Sequence, residues 1–151
     1  MRLPLTILLW AVLAPQTGSS QATAEPERGV YLTAFRSPAT GLELRAGHVA
    51  AYAGFYPTVI RRQGKLDNLN FIRAGATWYL KAHGASLYAS PSFVVSLDRD
   101  MESGALTEVG FRGRILPRIH GRLGAAVLTT MDGIVRVNPT VGLDIKLGAI
   151  R

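Results

Sequence analysis

The stretch Val135-Arg136-Val137-Asn138-Pro139-Thr140-Val141-Gly142-Leu143-Asp144-Ile145-Lys146-Leu147 alternates without a break. Its odd-numbered positions are all apolar, and its even-numbered positions carry Arg, Asn, Thr, Gly, Asp and Lys. A period of two belongs to an extended strand with one oily and one wet side, because successive side chains leave a strand on opposite faces. The pattern recurs upstream. Ile72, Ala74, Ala76, Trp78 and Leu80 oppose Arg73, Gly75, Thr77, Tyr79 and Lys81. Ala85, Leu87, Ala89, Pro91, Phe93, Val95 and Leu97 oppose Ser86, Tyr88, Ser90, Ser92, Val94 and Ser96. Val109, Phe111 and Ile115 oppose Glu108, Arg112 and Arg114, and Ile119, Leu123, Ala125 and Val127 oppose His120, Arg122 and Gly124.

Extending this reading outward predicts eight strands, at 29–36, 41–46, 49–58, 69–81, 85–97, 104–115, 119–130 and 134–147. No helix-period segment of similar length competes. The connections alternate in kind. Gly47-His48, Ala82-His83-Gly84 and Leu116-Pro117-Arg118 are tight turns, whereas Ser37 to Thr40, Val59 to Asn68 and Asp98 to Ser103 are mostly longer and more polar. Met131 to Gly133 is the exception, a short Asp-Gly turn on the long-loop side. The expected fold is therefore all-β, a closed antiparallel up-and-down barrel of about eight strands following an N-terminal signal peptide. Pro91 and Pro139 cannot donate to a ladder, so bulges are expected there.

The leader reading rests on Arg2, the apolar run Leu3 to Leu13 and the polar, small-residue stretch behind it, with cleavage after Ala22 or, alternatively, Ala24. The chain then divides into a signal peptide (1–22), a linker (23–28) and a transmembrane barrel domain (29–151). At 151 residues, one domain is the natural count. Apolar residues make up 48% and charged residues 18%, yet no segment behind the leader approaches the roughly 20 apolar residues of a membrane helix. The absence of cysteine removes disulfides, thiolate metal sites, thiol nucleophiles and lipid-modified N-terminal cysteines. No cofactor is called for. A formal charge of +7 raises nucleic acid as a partner, but an exported chain whose arginines are buried by alternation and which lacks a recognition motif does not fit it.

Together, the leader, the alternating strands and the glycine-rich polar face resemble small eight-stranded outer-membrane β-barrel proteins of bacteria. Gly41-Leu42-Glu43-Leu44-Arg45, Gly54-Phe55-Tyr56-Pro57-Thr58 and Val137-Asn138-Pro139-Thr140-Val141-Gly142-Leu143 are similar to segments of uncharacterised members of that group. The resemblance implies location in the bacterial outer membrane, outer-membrane lipids and the assembly machinery as partners, and a structural, anchoring or surface-interaction role without catalysis. It departs from the pattern at the C-terminus, where Leu147-Gly148-Ala149-Ile150-Arg151 stands in place of a terminal aromatic. Alternation alone does not say which face points outward, so a soluble lipocalin-like barrel around an apolar ligand shares the same period. The wet face carries few lysines (Lys65, Lys81 and Lys146 are all the chain has) and much Ser, Thr, Gly, Tyr and Arg, which suits an interior better than a solvated surface.

An eight-stranded barrel is filled by its own side chains. Alternation gathers Glu43, Glu108 and Asp144 with Arg45, Arg73, Lys81, Arg112, Arg114, Arg122, Arg136 and Lys146, so a lumenal charge network with cations in excess is expected. Arg61, Arg62 and Lys65, in the longest predicted loop, and Arg118, at the short-turn end, are candidate contacts for anionic lipid. His48 and His83 fall in tight turns. His120 with Glu108 and a strand serine is the only catalytic constellation that can be assembled, the ground for an outer-membrane lipid-modifying enzyme as a third reading. Dispersed histidines and a solvated acidic loop at Asp98, Asp100 and Glu102 make no metal site. Trp78, Phe93 and Phe111 are the aromatics expected on the lipid side.

Overall fold

Ladder pairing carries the chain through eight antiparallel strands and back to the first. The computed structural model describes residues 25–37, 39–62, 65–98 and 103–149, the side chains of 35–37, 60–62 and 65–67 excepted. The proposed signal peptide, the Asp100 and Glu102 positions, and Ile150 and Arg151 lie outside the described residues. The strands are β1 (Arg28–Ser37), β2 (Thr40–Ala46), β3 (Val49–Arg62), β4 (Lys65–Tyr79), β5 (Ser86–Ser96), β6 (Gly104–Leu116), β7 (Ile119–Thr130) and β8 (Val135–Gly148). Each pairs with its neighbour in sequence and β8 pairs with β1, closing the barrel. Among the described residues there is no helix. Gly47 opens the two-residue β2–β3 turn at φ 63°, a left-handed conformation that glycine adopts without steric cost.

The orientation left open by the alternation is resolved by burial. Leu42, Leu44, Ile72, Trp78, Leu87, Phe93, Val109, Phe111, Leu123, Val137 and Val141 are exposed, while Glu43, Arg45, Arg73, Glu108, Arg112, Arg122 and Asp144 are buried. The oily face points outward and the charged face inward. That is the reverse of the lipocalin-like alternative, which places apolar side chains around a cavity. Trp78, Phe93 and Phe111 do lie on the outer face, at 64%, 74% and 45% exposure. Tyr31, Tyr52, Tyr56, Tyr79 and Tyr88 turn inward.

Three expectations are corrected. The predicted long loop 59–68 is mostly ladder. β3 and β4 stay paired from Val49 with Trp78 as far as Arg62 with Lys65, so Arg61, Arg62 and Lys65 sit at a hairpin tip. Val59 and Ile60 continue the extended run of β3, and extended backbone satisfies its hydrogen bonds more completely by pairing than by looping. Neither expected proline bulge forms. At Pro91 the register with β4 is unchanged on both sides, Gly75 with Ser92 and Trp78 with Ala89, and the intervening pairs are missing. Pro139 keeps register with Ala125 of β7 and lies beyond Val141, where pairing with β1 ends. A missing N–H costs least where a ladder is already interrupted or a strand is an edge.

The third correction concerns the filling. The expected lumen of polar and Arg side chains occupies only part of the barrel. At the long-loop end Tyr56, Leu69, Phe71, Val94, Leu106, Ala126 and Leu128 form a buried apolar cluster joined by Ala39, with Ile134 packed against it. Phe71 and Val94 share the faces of Arg73 and Ser92, so parity already placed them inside. Close approach is managed by glycine. A Cβ at Gly110 would come within 2.8 Å of the Tyr88 hydroxyl, which reaches over it from the neighbouring β5 toward Glu108.

Candidate functional site

Below the apolar cluster the interior is a layered network of ions. In the middle layer Arg73 of β4 donates from Nη1 to Glu108 of β6 at 2.8 Å, from Nε to Ser92 Oγ at 2.8 Å and from Nη2 to Ser90 Oγ at 2.9 Å. The Tyr88 hydroxyl donates to the other Glu108 oxygen at 2.6 Å. Alternation brings these side chains inward from three consecutive strands. Arg73 and Glu108 then meet across β5, whose inward residues on that side are the small Ser90 and Ser92.

Nearer the short-turn end the network is denser. Arg122 donates to both Asp144 and Glu43, and through Nη2 to the Tyr79 hydroxyl at 2.6 Å. The Tyr79 hydroxyl in turn donates to Glu43 at 2.6 Å. Arg112 reaches Asp144 from Nε at 2.9 Å. Arg45 lies 3.7 Å above the Tyr79 ring and is pinned by the carbonyls of Gly47 and Lys81, both at 3.0 Å.

The decisive residue was not anticipated. Glu27, in the segment read as linker, folds into the short-turn mouth just before β1. Its carboxylate accepts from Arg45 Nη1 at 2.9 Å, from Arg112 Nη1 at 3.2 Å and from the Tyr31 hydroxyl, and it lies 3.3 Å from His120 Nε2. Burial pushes this carboxyl up, but Arg112, the Tyr31 hydroxyl, Arg45 and His120 together outweigh it, so it sits below the usual carboxylate range. Backbone bonds hold the segment in place: Glu27 N to the Ala82 carbonyl and Gly47 N to the Glu27 carbonyl, both 2.9 Å.

With Glu27 included, the expected cation excess disappears. Glu27, Glu43, Glu108 and Asp144 face Arg45, Arg73, Arg112 and Arg122, four acids against four arginines. The remaining predicted members leave the network. Arg114 is exposed at the rim of the mouth and Lys81 at a turn, as is Arg118, the candidate lipid contact. Lys146 is half-buried at the mouth, with Nζ 5.9 Å from the Tyr31 ring. Arg136 is half-buried at the opposite end, where its guanidinium donates to the Val59 carbonyl at 3.4 Å. The side chains of Arg61, Arg62 and Lys65 are outside the description. The one sequence clue to Glu27 was the surplus itself. Buried cations without counter-ions are too costly to persist, so an acid had to come from outside the strands.

The catalytic grouping considered for His120 is not what the structure assembles. His120 stacks edge-on against Tyr31 at 5.7 Å and faces Glu27, while both Glu108 oxygens accept from Arg73 and Tyr88. Among the described residues no group of three or more His, Cys, Asp or Glu is placed to hold a metal ion. An open pocket at the short-turn mouth is lined by Glu25, Pro26, Glu27, Arg28, His83, Gly84, Arg114, Pro117, His120, Lys146 and Ala149.

Fold and network together define a closed eight-stranded barrel that is oily outside and holds an ion network beneath an apolar cluster within. Comparison with known protein families, with curated proteins and with solved structures finds no match to the chain.

Proposed function

We propose that this chain is a small bacterial outer-membrane barrel with a structural, anchoring or surface-interaction role, held in place by lipid around its outer face. The observation that carries this reading is the polarity. Large apolar side chains are exposed on every strand from β2 to β8, whereas fully buried arginines and carboxylates occupy the axis. In water such a protein would expose far more contiguous apolar surface than the few hundred Å² that monomeric soluble proteins tolerate. Closure into a barrel satisfies every strand edge in the hydrocarbon region, the condition for crossing a bilayer with strands. Seven of the eight strands have 10 to 15 residues, enough for a tilted crossing that needs about 9–11.

A lumen packed with ion pairs at one end and Tyr56, Phe71, Val94, Leu106 and Leu128 at the other offers no continuous water path. The role follows from the surface rather than from conduction. Outer-membrane lipids are the first partners, and the assembly machinery that inserts such barrels is the second. The tall β3–β4 hairpin is the feature best placed for surface contact, since beyond Phe55 β3 pairs only with β4.

Fractionation of expressing cells tests the assignment. The protein is expected in the outer membrane, resistant to alkaline extraction, and as a band whose gel mobility changes on heating because the closed barrel resists detergent when cold. Recovery in the soluble periplasmic fraction with no heat-dependent band would overturn it.

A further inference from the structure

The Glu27 carboxylate differs from the other three acids of the network in how it arrives. Glu43, Glu108 and Asp144 project from strands and are fully buried, whereas Glu27 hangs from a short non-strand segment and retains 12% side-chain exposure. Its donors come from three separate strands, Tyr31 of β1, Arg45 of β2 and Arg112 of β6, with His120 Nε2 of β7 lying 3.3 Å away. Those donors are held by contacts other than Glu27. Arg45 is fixed by two carbonyls and the Tyr79 ring, and Arg112 by Asp144. Donor capacity also remains, because Arg112 Nη2 is buried without a hydrogen-bond partner. The pocket is lined by Glu27 and His120, with Glu27 between it and the arginines beneath, and it also carries Arg28, Arg114 and Lys146.

We propose that the floor of the short-turn mouth is an oxyanion-binding site whose resident occupant is the Glu27 carboxylate, and that an external carboxylate or phosphate takes its place when the segment before β1 lifts away. The site is preorganised for two oxygens carrying negative charge, since guanidinium forks and a phenol converge on one point from a rigid wall. Release of the strap breaks two backbone hydrogen bonds and leaves the barrel ladders intact. The rim cations raise the local concentration of anions at the opening. A phosphate reaching this floor could be free or belong to a lipid headgroup, the shared chemistry being a compact oxyanion.

This inference goes beyond the membrane assignment and is separable from it, because its test needs only the folded full chain, in neutral detergent or in plain buffer. Wild type, Glu27→Ala and Glu108→Gln are compared by the temperature at which the folded gel band is lost. Inorganic phosphate or formate, set against chloride of equal ionic strength, is expected to raise the Glu27→Ala midpoint saturably by about 3 °C or more. Wild type, where Glu27 competes, should gain much less. Glu108→Gln should gain nothing beyond chloride, because its vacated charge lies deep in the lumen. Micelles doped with phosphatidylglycerol form a separate arm, and rescue there alone would assign the oxyanion to a lipid headgroup. Equal gains in all three proteins would overturn the proposal. Should Glu27→Ala not fold unaided, folding recovered by the oxyanion supports the site, and failure with and without it refutes the site.

Discussion

Arg122→Met should destabilise the folded barrel by about 3–5 kcal/mol, the cost of leaving buried carboxylates without their partner. Arg122 has the most consequential position in the lumen, since its guanidinium joins Asp144 of β8 to Glu43 of β2 and also meets the Tyr79 hydroxyl. Methionine nearly preserves the stem and removes the charge. Glu43 then keeps the Tyr79 hydroxyl but loses its arginine, and Asp144 keeps only Arg112. The urea midpoint of the folded band reads the effect. Adding Glu43→Gln to Arg122→Met should recover part of the loss, because removing both members of a buried pair is far less damaging than removing one. If Arg122→Met unfolded within 0.5 kcal/mol of wild type, the ion network would be decoration rather than the core of the barrel.

Val109→Arg comes next in size, and its cost depends on what surrounds the barrel. Val109 lies at mid-height on the outer face of β6, 53% exposed, with Ala89 and Ala125 beside it. At the middle of a bilayer an arginine on a barrel's lipid face costs about 2–4 kcal/mol, falling to about 0–1 near the interfaces. Leu116→Arg, equally exposed but at the short-turn end of the same strand, should therefore be nearly silent. Unfolding in lipid vesicles measures both. A large loss at Val109 with little at Leu116 is the signature of hydrocarbon at one height and headgroups at the other, and equal, near-zero losses would place both positions in water.

Much of the wall was legible because it rests on a period of two. Along β5 each residue from Ser86 to Val95 lies on the side its parity assigned. The turns at Gly47-His48 and Asp132-Gly133 were visible through glycine. The interior was only half legible. Parity delivered Arg73, Glu108, Arg112, Arg122 and Asp144, but which of them pair depends on contacts between strands, Arg73–Glu108 and Arg112–Asp144 each skipping one, that no linear spacing encodes. Arg114 and Lys81 followed the right parity past the height where the lumen ends, and parity carries no information about height. Glu27 escaped because it belongs to no periodic segment and enters the barrel from below. The apolar cluster was recoverable, since Phe71, Val94, Leu106 and Leu128 are oily residues on the wet parity, a local break in the pattern that marks where the filling changes.

The central claim, an apolar outer face solvated by lipid, can be read from one native residue. Trp10 and Trp78 are the two tryptophans of the chain, so a protein made without residues 1–22 reports from Trp78 alone. That side chain stands on the outside of β4 at 64% exposure. Folded into vesicles, it should emit at short wavelength and be strongly quenched when the acyl chains carry bromine. Folded protein that stays in the aqueous phase, with Trp78 emission indifferent to brominated lipid, would contradict the account.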